Sequence, residues 1–171
     1  MLRVRAAELK DAPMLAELGA STFVETFQAE NSADDIRAYI LANFRPEVQA
    51  REMADPNVSF LVAEIGAEPV GYAKLQRGDA PACVTGPSPI EIARIYVKAE
   101  HHGRGAGAAL MNACLDRARA LGAKTIWLGV WERNERALDF YRRFGFGECG
   151  EHPFVLGSDR QRDLVMARSL D

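Results

Sequence analysis

The spacing of apolar residues changes period along this 171-residue chain. Leu2–Ala6 predicts a short opening strand. From Asp11 onward apolar positions recur every three or four residues, which predicts helices that bury one face. Asp11-Ala12-Pro13 starts the first, since Asp caps a helix and Pro is tolerated in its first turn. Met14, Leu15, Leu18, Phe23 and Phe27 form its apolar stripe, loosened at Gly19. Asn31-Ser32 restarts a second helix through Ile36, Tyr39 and Ile40, and Pro46–Met53 is a short third, ended by Asp55-Pro56. The pattern then becomes that of strands: Val58–Ile65, a turn at Gly66-Ala67-Glu68-Pro69, and Val70–Gln76 as hairpin partner. Residues 77–89, with Gly78, Pro81, Gly86, Pro87 and Pro89, predict a loop. Ile90–Val97 and Thr125–Val130 are strongly apolar strands. Each leads through a turn into a helix, Gly105–Leu121 and residues 134–144 respectively. Two last strands are expected near Gly147–His152 and Gln161–Arg168. With no repeat, low-complexity tract or linker, residues 1–171 are expected to form one α/β domain.

Composition narrows the class. At 48% hydrophobic and 26% charged residues, the chain has the makeup of a soluble globular protein. No apolar run approaches the ~20 residues that cross a bilayer. Met1-Leu2-Arg3-Val4-Arg5 begins no signal-peptide core. A cytoplasmic location without a membrane partner is therefore expected. Cys83, Cys114 and Cys149 are odd in number, widely spaced and form no C-x-x-C pair, which argues for free thiols over a disulfide framework or zinc site. His101-His102 and the distant His152 form no H-x-x-x-H pair, so no metal is expected. The net charge of −3 excludes a generally basic nucleic-acid binder. Its distribution is uneven: residues 1–60 hold six Lys/Arg against ten Asp/Glu, and residues 91–146 hold ten against six. A basic half suits a polyanionic ligand, and an acidic half suits a cationic one.

After the strand that ends at Val97 comes His102-Gly103-Arg104-Gly105-Ala106-Gly107-Ala108, then a helix. Glycines let a ligand approach the backbone, the first amides of a helix lack partners, and the helix dipole favours an anion. Arg104 can add a charged hydrogen bond. The turn lacks the Lys-Ser or Lys-Thr of a P-loop. Gly103, Gly105 and Ala108 loosely fit a G-x-G-x-x-G/A dinucleotide turn, but only one βαβ unit is evident around it. A pyrophosphate of coenzyme A, or a turn that merely reverses the chain, are the other readings.

His102-x-x-Gly105-x-Gly107 resembles motif A, Q/R-x-x-G-x-G/A, of the Gcn5-related N-acetyltransferase (GNAT) superfamily, with His in place of Gln or Arg. Asn134, Ala137, Tyr141, Gly145 and Phe146 match its motif B, N-x-x-A-x-x-x-Y-x-x-x-G-F. On a helix, Asn134 and Tyr141 would project from one face about 10.5 Å apart. Taken singly, they read as an N-cap and a core aromatic. The resemblance implies a mixed, mostly antiparallel twisted sheet with helices on both faces. It also implies a splay between the central parallel strands, where the glycine turn lies.

The same resemblance implies acetyl-CoA as co-substrate, held by the turn, by Asn134 and Tyr141, and by the backbone of Ile95, Tyr96 and Val97. The amine acceptor attacks the thioester directly in a ternary complex. A backbone N–H near Ile95-Tyr96 holds the oxyanion, and Tyr141 protonates the leaving thiolate. Glu91, eleven residues before His102, stands where relatives place a general base, a role that a chain of waters also fills. A wider likeness runs through Thr22-Phe23-Val24-Glu25-Thr26-Phe27, Glu91–Val97, Trp127–Glu132 and the tail from His152 to Ala167. It is to the PaiA-type bacterial polyamine acetyltransferases, and it implies spermidine or spermine as acceptor. Other amines (a protein N-terminus, an amino acid, an aminoglycoside), a non-catalytic acyl-CoA sensor and a homodimer stay open.

Overall fold

The computed structural model describes residues 1–157 and 159–171. Its strands are β1 (Leu2–Ala6), β2 (Val58–Ile65), β3 (Glu68–Arg77), β4 (Pro89–Val97), β5 (Thr125–Trp131), β6 (Gly147–Leu156) and β7 (Asp159–Ser169). They form one seven-stranded sheet in the order β1-β2-β3-β4-β5-β7-β6. Every neighbouring pair is antiparallel except β4 and β5, which are parallel. Helices α1 (Ala12–Phe27), α2 (Ala33–Asn43) and α3 (Pro46–Ala54) cover one face, and α4 (Ala106–Ala120) and α5 (Glu135–Arg143) cover the other. Among the described residues, no helix is long and apolar enough to cross a membrane.

The parallel pair separates early. β4 and β5 are in register only at Pro89–Thr125, Ile90–Ile126 and Glu91–Trp127. Beyond these, β5 stays with β7 through Trp131, opposite Asp163, while β4 stays with β3 through Val97, opposite Gly71. A bulge accompanies the parting. Leu75 pairs with Ile92 and Lys74 with Arg94, so Ala93 is an extra residue on β4. Side chains alternate across a strand, and the bulge resets the alternation. Ile90 and Ile92 before it, and Ile95 and Val97 after it, all face the core under α4. Glu91, Arg94 and Tyr96 share the other face, opposite Gln76, Lys74 and Tyr72. If Ala93 were paired in regular alternation and made no bulge, Arg94 would point into an apolar core.

Two sequence expectations change. Gly19 does not loosen α1, which runs unbroken through it. A Cβ there would lie 2.6 Å from Phe44 Cδ1 and 2.7 Å from the Tyr72 hydroxyl, both on fully packed side chains. The glycine lets α1 press onto β3, and that contact outweighs the ~1 kcal/mol that alanine gains in a helix. The cysteines are free thiols, as expected, but Cys83 and Cys149 are not apart. The loop before β4 folds back on β6, and Cys149 Sγ donates to Cys83 Sγ at 3.2 Å across a sequence separation of 66.

Candidate active site

The glycine turn owes its composition to backbone angles. Gly103 and Gly105 have φ of +74° and +88°, the left-handed region where a side chain is strained. Crowding is not the reason: a Cβ on Gly103 would meet nothing within 4 Å, and one on Gly105 only Leu2 Cδ2 at 3.9 Å. Gly105 caps α4 without a side-chain hydrogen bond. The helix's first internal bond runs from Ala109 N to the Gly105 carbonyl, 2.9 Å. The amides of Ala106, Gly107 and Ala108 therefore have no intrahelical acceptor, at the positive end of the helix dipole. Gly107 is different. It is helical, and a Cβ would find ordinary contact with Phe140 at 3.6 Å, so the protein itself leaves room for a methyl group there.

His102 ties this turn to its surroundings. One ring nitrogen, Nε2, lies 2.7 Å from the Val97 carbonyl, and the other, Nδ1, meets the Arg136 guanidinium. Arginine only donates, so Nδ1 carries the lone pair and Nε2–H donates to Val97. Arg136, which the sequence reading passed over, is thus drawn from α5 to the glycine turn. Arg104 is exposed on the turn itself.

On α5 the two motif residues do different things. Asn134 precedes the helix, and its Oδ1 accepts from Ala137 N at 3.2 Å. It is the N-cap, so that oxygen is already used. Tyr141 is buried in the α4-side core against Phe140 and Phe146. Its hydroxyl has no hydrogen-bond partner among the described residues. Burial raises its pKa well above the ordinary phenol value, so it keeps its proton at neutral pH.

Between the parting strands, β4 offers unpaired backbone. Lys98 N donates to the Val70 carbonyl at 2.9 Å, and in an antiparallel ladder alternate residues turn outward. Ile95 and Val97 therefore direct their N–H and C=O away from β3, the Val97 carbonyl being taken by His102 Nε2–H, whereas Tyr96 directs its own toward β3. The amides that face away from β3 are those of Ile95 and Val97, one residue to either side of Tyr96.

The α1–α3 face of the gap is polar. Arg94 makes a two-pronged pair with Glu52 at 3.0 and 3.2 Å, and Lys74 Nζ reaches the same carboxylate at 3.0 Å. Glu91 stands at the last paired position of β4, and burial raises its pKa. Asp163 on β7 is pushed up to about 6, also by burial. Among the described residues, its Oδ1 is buried without a hydrogen-bond partner. A Cβ on Gly129, two residues past the last β4–β5 pair, would lie 3.1 Å from His152 Nε2 and 3.3 Å from Asp163 Oδ2. A side chain there would make both groups give way by a few tenths of an ångström. His152 Nδ1 lies 3.0 Å from the Pro153 carbonyl, which leaves Nε2 facing Gly129. The sequence reading missed Asp163, His152, Glu52 and Lys74 as site residues. Their signal was the cross-strand pairing of His152 with Asp163, which only the register reveals.

A family model described as the acetyltransferase (GNAT) family matches residues 14–146. The chain belongs to the GNAT family. An uncharacterized N-acetyltransferase of Lactobacillus delbrueckii subsp. lactis is 34% identical over 94% of this chain and 93% of its own. An uncharacterized N-acetyltransferase of Mycobacterium tuberculosis is 35% identical over 95% of this chain and 99% of its own. Among solved structures, the PaiA N-acetyltransferase from Thermoplasma acidophilum in complex with coenzyme A superposes with a TM-score of 0.79 at 19% identity, covering 99% of each chain. The GNAT chain is thus an acetyl-CoA-dependent N-acetyltransferase with the seven-stranded sheet and parted parallel strands described above.

If the turn holds the coenzyme pyrophosphate, Gly105→Val should weaken acetyl-CoA binding at least ~10-fold, because a β-branched residue strains the left-handed cap that aims the amides. Calorimetric titration of the folded variant checks this, and unchanged affinity would remove the turn from the coenzyme site.

Proposed function

We propose that this GNAT chain transfers the acetyl group of acetyl-CoA to a primary amine, and that its acceptor is a polyamine of the spermidine or spermine class. One observation carries the transferase reading. The gap between β4 and β5 has free helix amides at the glycine turn, outward backbone of Ile95 and Val97 along one edge, and the carboxylates Glu91 and Asp163 toward the α1–α3 face. A thioester lying in the gap would place its carbonyl against a β4 amide and its sulfur toward Tyr141.

The chemistry then follows. An alkylammonium near pKa 10.4 must first lose a proton, and a carboxylate raised by burial is a better acceptor than an ordinary one. The free nitrogen lone pair attacks the thioester carbon as the C–N bond forms. The oxyanion rests on the N–H of Ile95 or Val97 while it lasts. On collapse the C–S bond breaks, and Tyr141 gives its proton to the thiolate. The protonated nitrogen of the intermediate loses a second proton, which restores the tyrosine through solvent. Glu91 and Asp163 both qualify as the base. Asp163 is favoured by its partnerless oxygen and by its place over Gly129, with His152 beside it to pass the proton outward.

The polyamine reading rests on the likeness to PaiA-type enzymes and on charge. The acidic residues near the α1–α2 turn are not equivalent. Glu25 accepts from Ala99 N at 3.1 Å, and Glu30 pairs with Arg133 at 2.8 Å. Asp34 and Asp35 head α2. The charge near the gap that would draw a polycation is that of Glu91 and Asp163.

Three outcomes are expected. Tyr141→Phe keeps the ring's packing and should lower kcat about 100-fold where chemistry limits the rate, since general acid catalysis is typically worth ~10²–10⁴ and a thiolate already leaves fairly well. Equal kcat would dismiss the tyrosine. A base must be ionised, so kcat/KM for the amine should rise with pH through an inflection near the Asp163 value of about 6. Asp163→Asn should abolish that limb and cost ~10²-fold or more, with Glu91→Gln the milder variant. The reverse ranking would transfer the role to Glu91. Finally, spermidine kcat/KM should exceed that of a simple monoamine at low salt and fall more steeply as salt rises, because the screening length shrinks from ~10 Å at 0.1 M to ~3 Å at 1 M. Equal performance of the two amines would end the polyamine assignment and leave the acetyltransferase intact.

A further inference from the structure

We propose that Cys83 and Cys149 are a dithiol–disulfide site, oxidised by hydroperoxides, that staples the closed end of the β4–β5 splay. The sulfurs lie 3.2 Å apart, already in contact, and a bond needs them at about 2.05 Å. Two features of the fold bring them there. Cys149 is the extra residue of a bulge in β6, since Glu148 pairs with Met166 and Gly150 with Val165. It is therefore not held by the strand ladder and is free to turn. Gly150 makes way for its partner: a Cβ there would lie 2.7 Å from Cys83 Sγ.

The pair is reachable. Cys149 is exposed, and a cavity of about 280 Å³ lined by Cys83, Thr85, Gly86, Lys124, Cys149 and Arg168 opens beside it. Cys114 is the contrast: it is fully buried under α4, and burial pushes its thiol up to about 12. It remains reduced and serves as an internal control.

The reaction balances with a hydroperoxide as oxidant. One thiolate attacks a peroxide oxygen, becomes a sulfenic acid and releases water. The second sulfur displaces the sulfenic oxygen as another water, so two thiols and one hydrogen peroxide give a disulfide and two waters. Burial and the hydrogen bond to Cys83 push Cys149 up to about 11, so closure should speed up as pH rises and more thiolate forms.

The bond would join two segments that flank the paired base of the splay. The Cys83 loop leads into β4, and its Pro87 carbonyl accepts from Thr125 Oγ1, the first residue of β5, at 2.9 Å. Cys149 lies three residues before His152 on β6. A cross-link closing a sequence separation of 66 removes much freedom from the unfolded chain, and a Tm gain on the order of 5–10 °C is expected. The glycine turn lies at the other end of β4, so acetyl-CoA affinity should not change.

The test oxidises the purified chain with hydrogen peroxide, alkylates it under denaturing conditions and maps peptides by mass spectrometry. The expected result is a loss of about 2 Da, a Cys83–Cys149 cross-linked peptide and an alkylated Cys114. The Tm should rise, and dithiothreitol should reverse the rise. Cys83→Ser and Cys149→Ser should each abolish the cross-link and the Tm gain. Sulfinic acid at Cys149 with Cys83 still alkylated, a disulfide-linked dimer, or a cross-link without a Tm change would overturn the proposal. None of these readouts depends on the amine acceptor or on turnover.

Discussion

β5 is committed to β7 along its whole length and β4 to β3, so the two parallel strands share only three residue pairs before they part. Most of the site depends on that constraint. A strand edge inside a protein carries N–H and C=O groups that cost about 1–3 kcal/mol each when buried without partners. Such an edge is tolerated where a bound molecule supplies the missing partners. Its free backbone is what an extended, amide-containing molecule can pair with, and the pantetheine arm of coenzyme A has that chemistry.

The extra residue Ala93 divides the labour between the two faces. It sends Ile95 and Val97 under α4 while Arg94 and Tyr96 turn toward α1–α3. The α4 side then holds the helix amides, Arg104 and Arg136, all suited to phosphate. The opposite side holds Glu52, Glu91, Asp163 and His152, with the cations Lys74 and Arg94 tied to Glu52. The bulge thus keeps apolar residues under α4 and polar ones toward α1–α3.

The legible part of this protein was local. Helix starts, the hairpin at Gly66-Ala67, the glycine turn and the α5 motif each rest on residues within a few positions of one another. The strand boundaries follow the expected order, with β6 and β7 running longer than their apolar pattern suggested. The illegible part was made by register. Asp163 and His152 meet over Gly129 only because β7 lies between β5 and β6, an order that no periodicity in the tail reveals. Cys83 and Cys149 meet because a loop folds across the sheet. Gly19 was misjudged for the same reason: its neighbours Phe44 and Tyr72 are distant in sequence, and only their closeness explains why it has no side chain.

Polar groups without partners offer a further guide to where a ligand belongs. Several buried ones elsewhere are matched: Glu64 lies between Arg3 and Arg5, Thr22 donates to the Leu18 carbonyl at 2.7 Å, and Gln49 donates to the Asn43 carbonyl at 2.6 Å. Around the splay the matching lapses. Among the described residues, Asp163 Oδ1 is buried and unpaired, the Tyr141 hydroxyl has no hydrogen-bond partner, and three helix amides begin α4 without an intrahelical acceptor. Such lapses also occur at His101 Nδ1 and Gln161 Oε1, so one alone carries little weight. Their gathering around one gap, with donors at the coenzyme end and acceptors at the amine end, has a direct physical reading. A pair of bound substrates would supply what the fold withholds, and the stability lost by leaving those groups unpaired would be recovered as binding.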